Sequence, residues 1–187
     1  MERVMVFIDG SNFYHGLLET LGHARIDFAC FCDLLCGQER RLVHTHYYNV
    51  PVRQATDQVQ YAQQQKFFHG LRSIPHFGLT LGRLVDRGRQ EKCPKCGHEY
   101  VVSYRVEKGV DVQLAVHMLA AAFDDQFDTA ILVSQDGDFA PAVAEVRRLR
   151  KAVENADFPK RLPSYLSKQC SKTIPLTSEL LEPCVLR

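Results

Sequence analysis

The chain carries almost no surplus of charge: 23 Lys+Arg stand against 22 Asp+Glu over 187 residues. No global basic field therefore advertises a polyanion, and any nucleic-acid surface has to come from local segregation of charge. No apolar run approaches the ~20 residues of a transmembrane helix. The opening MERVMVFIDG is interrupted by Asp9 and lacks the form of an export signal. Membrane and secreted classes are excluded on this reading, and a cytoplasmic setting is expected. The seven cysteines, odd in number, are expected as reduced thiols. The sequence has no internal repeat, no low-complexity tract, no phosphate-cradling glycine loop and no Ser/His/Asp spacing of a nucleophilic triad. With 45% apolar and 24% charged residues, it has the composition of one globular domain with a small appendage.

What is present begins with two short, nearly continuous apolar runs, Arg3 to Ile8 (RVMVFI) and Thr129 to Val133 (TAILV). Such runs mark strands buried on both faces of a parallel sheet. Leu42 to Val50 and Phe77 to Val85 read as further strands, the latter near a sheet edge. Helices are expected at Phe13 to Leu21, Phe28 to Leu35, Thr56 to Leu71, Val110 to Phe123 and Phe139 to Arg150. In the helix from Val110, the residues Val112, Ala115, Val116, Leu119, Ala122 and Phe123 form one apolar face. Asp86 to Gly109 is charged and turn-rich and reads as an insertion, closed by a short strand at Tyr100 to Tyr104. Beyond Lys151 the signal fades, with helices indicated at 163–170 and 177–182. Strands alternating with helices give an α/β sandwich around a mostly parallel sheet.

Both buried strands end in acidic turns: Asp9-Gly10-Ser11-Asn12 and Ser134-Gln135-Asp136-Gly137-Asp138. Ligands of open parallel sheets bind beyond the C-terminal strand ends, so Asp9, Asp136 and Asp138 are expected to converge. Asp111, at the start of the strongest helix, is a fourth candidate. Each acid also has a purely structural role available. Asp9 and Asp136 can cap helices, Asp138 can serve a turn, and Asp111 can complement a helix dipole. Together the four repel one another unless a cation neutralises them. Hard ions such as Mg²⁺ or Mn²⁺ take oxygen ligands, keep several waters and suit hydrolysis of phosphoesters.

The combination FIDGSNFY (Phe7 to Tyr14), EKGVDVQLAVHML (Glu107 to Leu119) and DTAILVSQDGDF (Asp128 to Phe139) resembles the NYN family, also called LabA-like or DUF88, relatives of PIN-domain nucleases. The resemblance spans about residues 3–150. It implies a PIN-like three-layer α/β/α sandwich over residues 1–155, including the Cys-bearing insertion at about 86–105, with residues 156–187 as a tail packed on it. It further implies a metal-dependent ribonuclease, endonucleolytic at the family level, acting on single-stranded or unpaired RNA. Asp9, Asp111, Asp136 and Asp138 match the acidic Mg²⁺ or Mn²⁺ site, with Asn12 and Ser134 as polar neighbours that orient ligands or bind phosphate. A non-catalytic RNA-binding module of the same fold is the alternative. Haloacid-dehalogenase-like phosphatases, which need a second Asp two residues after the first, are disfavoured by Ser11. A homodimer is compatible with the fold.

Cys93-x-x-Cys96-Gly97 has the spacing of half a zinc knuckle. Cys30, Cys32, Cys36, Cys170 or the same pair from a second copy are the candidates to complete a structural Zn²⁺ site. Otherwise Cys30, Cys32 and Cys36 are expected to pack as small hydrophobes. His44 and His46 share a strand face that is expected to be solvent-exposed. Basic residues segregate into Arg147, Arg148, Arg150, Lys151, Lys160 and Arg161, with Arg147 and Arg148 as candidate substrate contacts, and into Arg83, Arg87, Arg89, Lys92 and Lys95 around the insertion. Tyr47, Tyr48, Tyr100 and Tyr104 are candidate stacking surfaces for unpaired bases, though a core or rim position is the favoured expectation.

Overall fold

In the computed structural model, which describes residues 1–54, 57–159 and 165–186, the first apolar run forms β1 (Glu2–Asp9). Its alternate residues face opposite ways. Val4, Val6 and Ile8 enter one core, and Met5 and Phe7 enter the other. A strand buried on both sides needs helices on both sides, and the rest of the chain supplies them.

The chain continues through α1 (Gly10–Leu21), α2 (Phe28–Cys36), β2 (Arg40–Asn49), α3 (Gln58–Arg72) and β3 (Phe77–Leu81). Phe13 and Leu17 of α1, Phe31 and Leu35 of α2, and Phe68 and Leu71 of α3 fill the core on the Val4–Ile8 side. Thr56, expected to open α3, lies outside the described residues. At Gly82 the backbone leaves the main sheet and forms a two-stranded antiparallel ribbon from β4 (Arg83–Lys92) and β5 (Glu99–Lys108). The insertion is thus longer than the 86–105 expected. It returns into α4 (Val110–Phe123), β6 (Thr129–Val133), a 3-10 turn (Gly137–Phe139) and α5 (Ala140–Arg148), with α4 and α5 covering the Met5–Phe7 side.

The six strands of the main sheet lie in the order β3-β2-β1-β6-β7-β8, all parallel. The architecture is therefore a three-layer α/β/α sandwich, as expected. Its last two strands, β7 (Ala152–Asp157) and β8 (Lys172–Pro175), occupy the region where the apolar signal fades. β7 is buried although it reads AVENAD. Glu154 is paired with Arg40 Nη1 at 3.0 Å, and Asn155 Nδ2 donates to the carbonyls of Leu132 and Ser134 at 3.0 and 2.9 Å. The expected boundary at 155 falls inside β7, and the tail itself contributes β8, α6 (Tyr165–Gln169) and α7 (Ser178–Leu181). Lys160, Arg161 and Pro163 lie outside the described residues.

Two expectations are corrected. The buried face of α4 is Val110, Leu114, Met118, Ala121 and Ala122. Val112, Val116 and Phe123 are instead 68%, 54% and 78% exposed. The helix is apolar nearly all round, so periodicity alone offered two faces and the packing against β1 chose the other one. Cys30 is not a free thiol either: it forms a disulfide with Cys184, joining α2 to the C-terminal segment. Cys32 and Cys36 do pack as small hydrophobes in the core.

Candidate functional site

The neighbours β1 and β6 lie where the sheet order reverses, and the crevice beyond their C-terminal ends is the ligand position of such sheets. Asp9 closes β1 and caps α1, its Oδ1 accepting from the Asn12 backbone N–H at 3.2 Å. α1 follows without a connecting turn because residue 10 is glycine. A Cβ there would come within 2.5 Å of the Tyr47 ring and the Tyr48 carbonyl oxygen. After β6, Ser134 Oγ donates to Asp9 Oδ2 at 3.1 Å and accepts from the Asp136 N–H at 3.1 Å. Asn12 Oδ1 accepts from the Gln135 N–H at 3.1 Å. Asn12 and Ser134 thereby stitch the two strand ends together.

A cavity of about 470 Å³ opens here, with Asp9, Asp111, Asp136, Glu107, Glu19 and His15 among its lining residues. Three of the four expected acids share this wall. Asp138 stands exposed on the 3-10 turn, its N–H donating to Asp136 Oδ1 at 2.9 Å. Its charge still reaches Asp111. Burial, reinforced by Asp111 and Asp136, pushes the Asp9 carboxyl up to about 6 against the Asn12 and Ser134 hydrogen bonds. Asp111 is raised by burial and then by Asp136 and Asp138, while Lys108 opposes. Glu107 is raised by burial and by Asp111. The cavity thus disfavours its own negative charge.

Glu107, Glu19 and His15 were missed as site residues. A signal existed for α1: Ser11, Asn12, His15 and Glu19 recur at helical spacing and form the polar stripe that faces the cavity. Among the described residues, no group of three or more His, Cys, Asp or Glu side chains is placed to hold a metal ion directly. Five carboxylates, with His15 beside them, line an open cavity. They fit a hydrated hard cation, which binds through one or two carboxylates and keeps its remaining waters.

The chain matches the NYN domain family over residues 3–179. It belongs to that family. No curated protein matches this NYN chain. Among solved structures, a Vibrio parahaemolyticus RIMD 2210633 protein of unknown function resembles it with a TM-score of 0.68 at 22% identity, over 99% of this chain and 96% of that one. The likeness is one of fold. The NYN fold is nuclease-like, and the carboxylates at the β1 and β6 ends lie in the crevice between those strand ends.

The remaining expectations divide. Arg147 and Arg148 are not brought to the cavity. α5 returns antiparallel to β6 and carries them toward the opposite ends of the strands, where Arg147 Nη1 donates to the Gln169 carbonyl at 2.7 Å and Arg148 pairs with Glu145 at 2.7 Å. Nearby, Lys151 and Arg3 pair with Asp125. His44 and His46 share a face as expected but are half-buried rather than exposed. The His46 ring stacks on Phe7 with centroids 5.3 Å apart, and burial, then His44 and His117, lower its pKa to about 4. Tyr47 and Tyr48 are core residues, whereas Tyr100 and Tyr104 are exposed.

Cys93 and Cys96 sit at the tip of the β4–β5 ribbon, where the Cys93 N–H donates to the His98 carbonyl at 2.8 Å and Gly97 takes φ 71°. The Cys96 and Lys95 N–H groups hold the Cys93 thiol below its usual pKa. Among the described residues no zinc site is completed within one chain: Cys30 is in a disulfide, Cys32 and Cys36 are buried under the main sheet, and Cys170 packs against the core that α4 and α5 cover.

Proposed function

We propose that this NYN chain is a Mg²⁺- or Mn²⁺-dependent endoribonuclease acting on single-stranded or unpaired RNA, of the LabA-like, PIN-related type. The observation that carries this reading is the cavity at the β1/β6 crevice. There Asp9, Asp111, Asp136 and Glu107 face one another, and burial and mutual repulsion raise the pKa values of Asp9, Asp111 and Glu107. When bound, the ion would polarise the phosphodiester and supply a nucleophile at neutral pH. Asp9, Asp111, Asp136 and Asp138 would hold it, directly or through its waters. Ser134 and the Asn12 N–H keep both Asp9 oxygens aimed by hydrogen bonds. In the metal-free cavity the Asp9 carboxyl stands at about 6, and Glu107 and Asp111 are raised in the same direction by burial and by their acidic neighbours.

The test is cleavage of a labelled single-stranded RNA in Mn²⁺ and in EDTA, by wild type and Asp136→Asn. The expected outcome is cleavage by wild type in Mn²⁺ alone and a loss of at least about 100-fold in the variant, the scale of one missing transition-state electrostatic contact. Unchanged metal-dependent activity in folded Asp136→Asn would sink the site assignment. One observation favours a second reading, a binding module that cleaves nothing: among the described residues, no three His, Cys, Asp or Glu side chains stand ready to hold an ion directly. RNA bound equally in Mn²⁺ and EDTA, and recovered intact from both, would establish that reading instead.

A further inference from the structure

The β4–β5 ribbon pairs Arg83 with Lys108 at its base and Lys92 with Glu99 near its tip. Directly opposed residues of an antiparallel pair point to the same face, and faces alternate along each strand. One face therefore carries Arg83 with Lys108, Val85 with Val106, Arg87 with Tyr104, Arg89 with Val102 and Glu91 with Tyr100. The other carries Leu84 with Glu107, Asp86 with Arg105, Gly88 with Ser103, Gln90 with Val101 and Lys92 with Glu99. The charge is segregated accordingly. The first face has four cations and one acid, and the second has two cations and three acids.

On the acidic face, Asp86 is paired with Arg53 at 2.6 Å and with Arg105 at 3.4 Å. On the basic face, Arg83 and Arg87 have no ion-pair partner among the described residues. Tyr100 and Tyr104 present rings that are 43% and 47% exposed. The Tyr100 hydroxyl donates to Glu91 Oε2 at 3.2 Å, and Glu91 is also paired with Arg89. That ring is thus tethered by its edge with its face left open. The two tyrosines, four residues apart on one strand, stand about 13 Å from one another. At its base the ribbon runs into the acidic cavity, where Glu107 lines the wall and the Lys108 charge reaches Asp111.

We infer that the Tyr100/Tyr104/Arg83/Arg87/Arg89 face of this ribbon grips a single RNA strand beside the acidic cavity, its arginines on phosphates and its tyrosines under unpaired bases. The inference rests on the ribonuclease reading for its ligand and deepens it by locating where the strand lies. Charge complementarity selects a polyanion, and open ring faces select unpaired bases over a stacked duplex. The occupant is the strand that threads the cavity, because Lys108, opposite Arg83 at the base of the basic face, sends its charge to Asp111 in the cavity wall.

The experiment is fluorescence anisotropy of a labelled oligouridylate in EDTA, which reads binding without chemistry, with a duplex RNA of equal length alongside. Circular dichroism checks each variant for native structure. Arg87→Glu is expected to weaken single-strand binding about tenfold or more and to flatten the log K against log salt slope by roughly 0.7. Tyr100→Ala/Tyr104→Ala should weaken it by about tenfold or more and reduce the preference over duplex. Lys92→Glu makes the same charge change on the opposite face and should bind within about twofold of wild type. Equal losses in Arg87→Glu and Lys92→Glu, wild-type binding by the tyrosine variant, or no binding by wild type in EDTA would each overturn the inference. Ribbon-dependent binding with RNA left intact in Mn²⁺ would retain the grip and reject the nuclease. Cleavage lost in Asp136→Asn but binding indifferent to the ribbon variants would do the reverse.

Discussion

Asp9 serves the fold and the cavity with the same carboxylate. Its Oδ1 caps α1, a role worth about 1 kcal/mol for such a residue. Its burial among other acids nonetheless makes the charged form costly. A carboxyl moved from 3.8 to about 6 is disfavoured in its ionised form by roughly 3 kcal/mol. The raised folded-state pKa means that the folded chain binds the proton more tightly. Its contribution to stability is fully present below pH 3.8 and is lost as pH rises through about 6, leaving the ionised cavity above that without it. Asn keeps the capping oxygen and removes the charge. In metal-free buffer at pH 7.5, Asp9→Asn should therefore melt several degrees above wild type, with the gap closing toward pH 4. Thermal melts across pH check this, and a variant less stable at every pH would contradict the assigned cause. The acidic turn after each apolar strand was legible in the sequence. Both uses of Asp9 were legible as alternatives, but the Ser134 hydrogen bond that joins them was not, since it arrives from 125 positions away.

At the scale of elements, α4 shows where pattern reading stops. The extent Val110–Phe123 is legible because nothing interrupts a run of helix formers, but the buried face is set by its neighbours. Met118, fully buried, and Phe123, 78% exposed, should respond oppositely to truncation. Met118→Ala is expected to cost about 2–5 kcal/mol. Phe123→Ser should stay within about 0.5 kcal/mol, as for other exposed positions. Denaturant unfolding measures both, and similar losses would show that the exposed stripe is covered in solution. β7 failed to register for the reason opposite to α4. Its buried residues include Glu154, Asn155 and Asp157. Glu154 is made tolerable in the interior by Arg40, and Asn155 by carbonyls of β6, partners that no local window contains. Arg147 and Arg148 follow the same lesson. Nine residues after Asp138 is close in sequence, yet on a helix running away from the crevice it is about 13 Å off.

For the whole molecule, the strand order β3-β2-β1-β6-β7-β8 turns separate motifs into one site. β1 and β6 lie 120 residues apart in the chain and side by side in the sheet, which brings Asp9 and Asp136 to one cavity. The end of β5 adds Glu107, and the first turn of α4 adds Asp111. The order of motifs made this arrangement readable in outline. The ribbon's two unlike faces were not readable, because they depend on the Arg83–Lys108 register and not on composition. The central claim is that the gathered carboxylates form a divalent-cation site. It is tested most directly by thermal unfolding of metal-stripped protein titrated with Mn²⁺, wild type against Asp136→Asn. An ion that binds only the folded state should stabilise wild type saturably, by about 2.7 kcal/mol at 100-fold excess over Kd, and the variant should lose most of that rise. Equal Mn²⁺ stabilisation of both proteins, or none in either, would contradict the account.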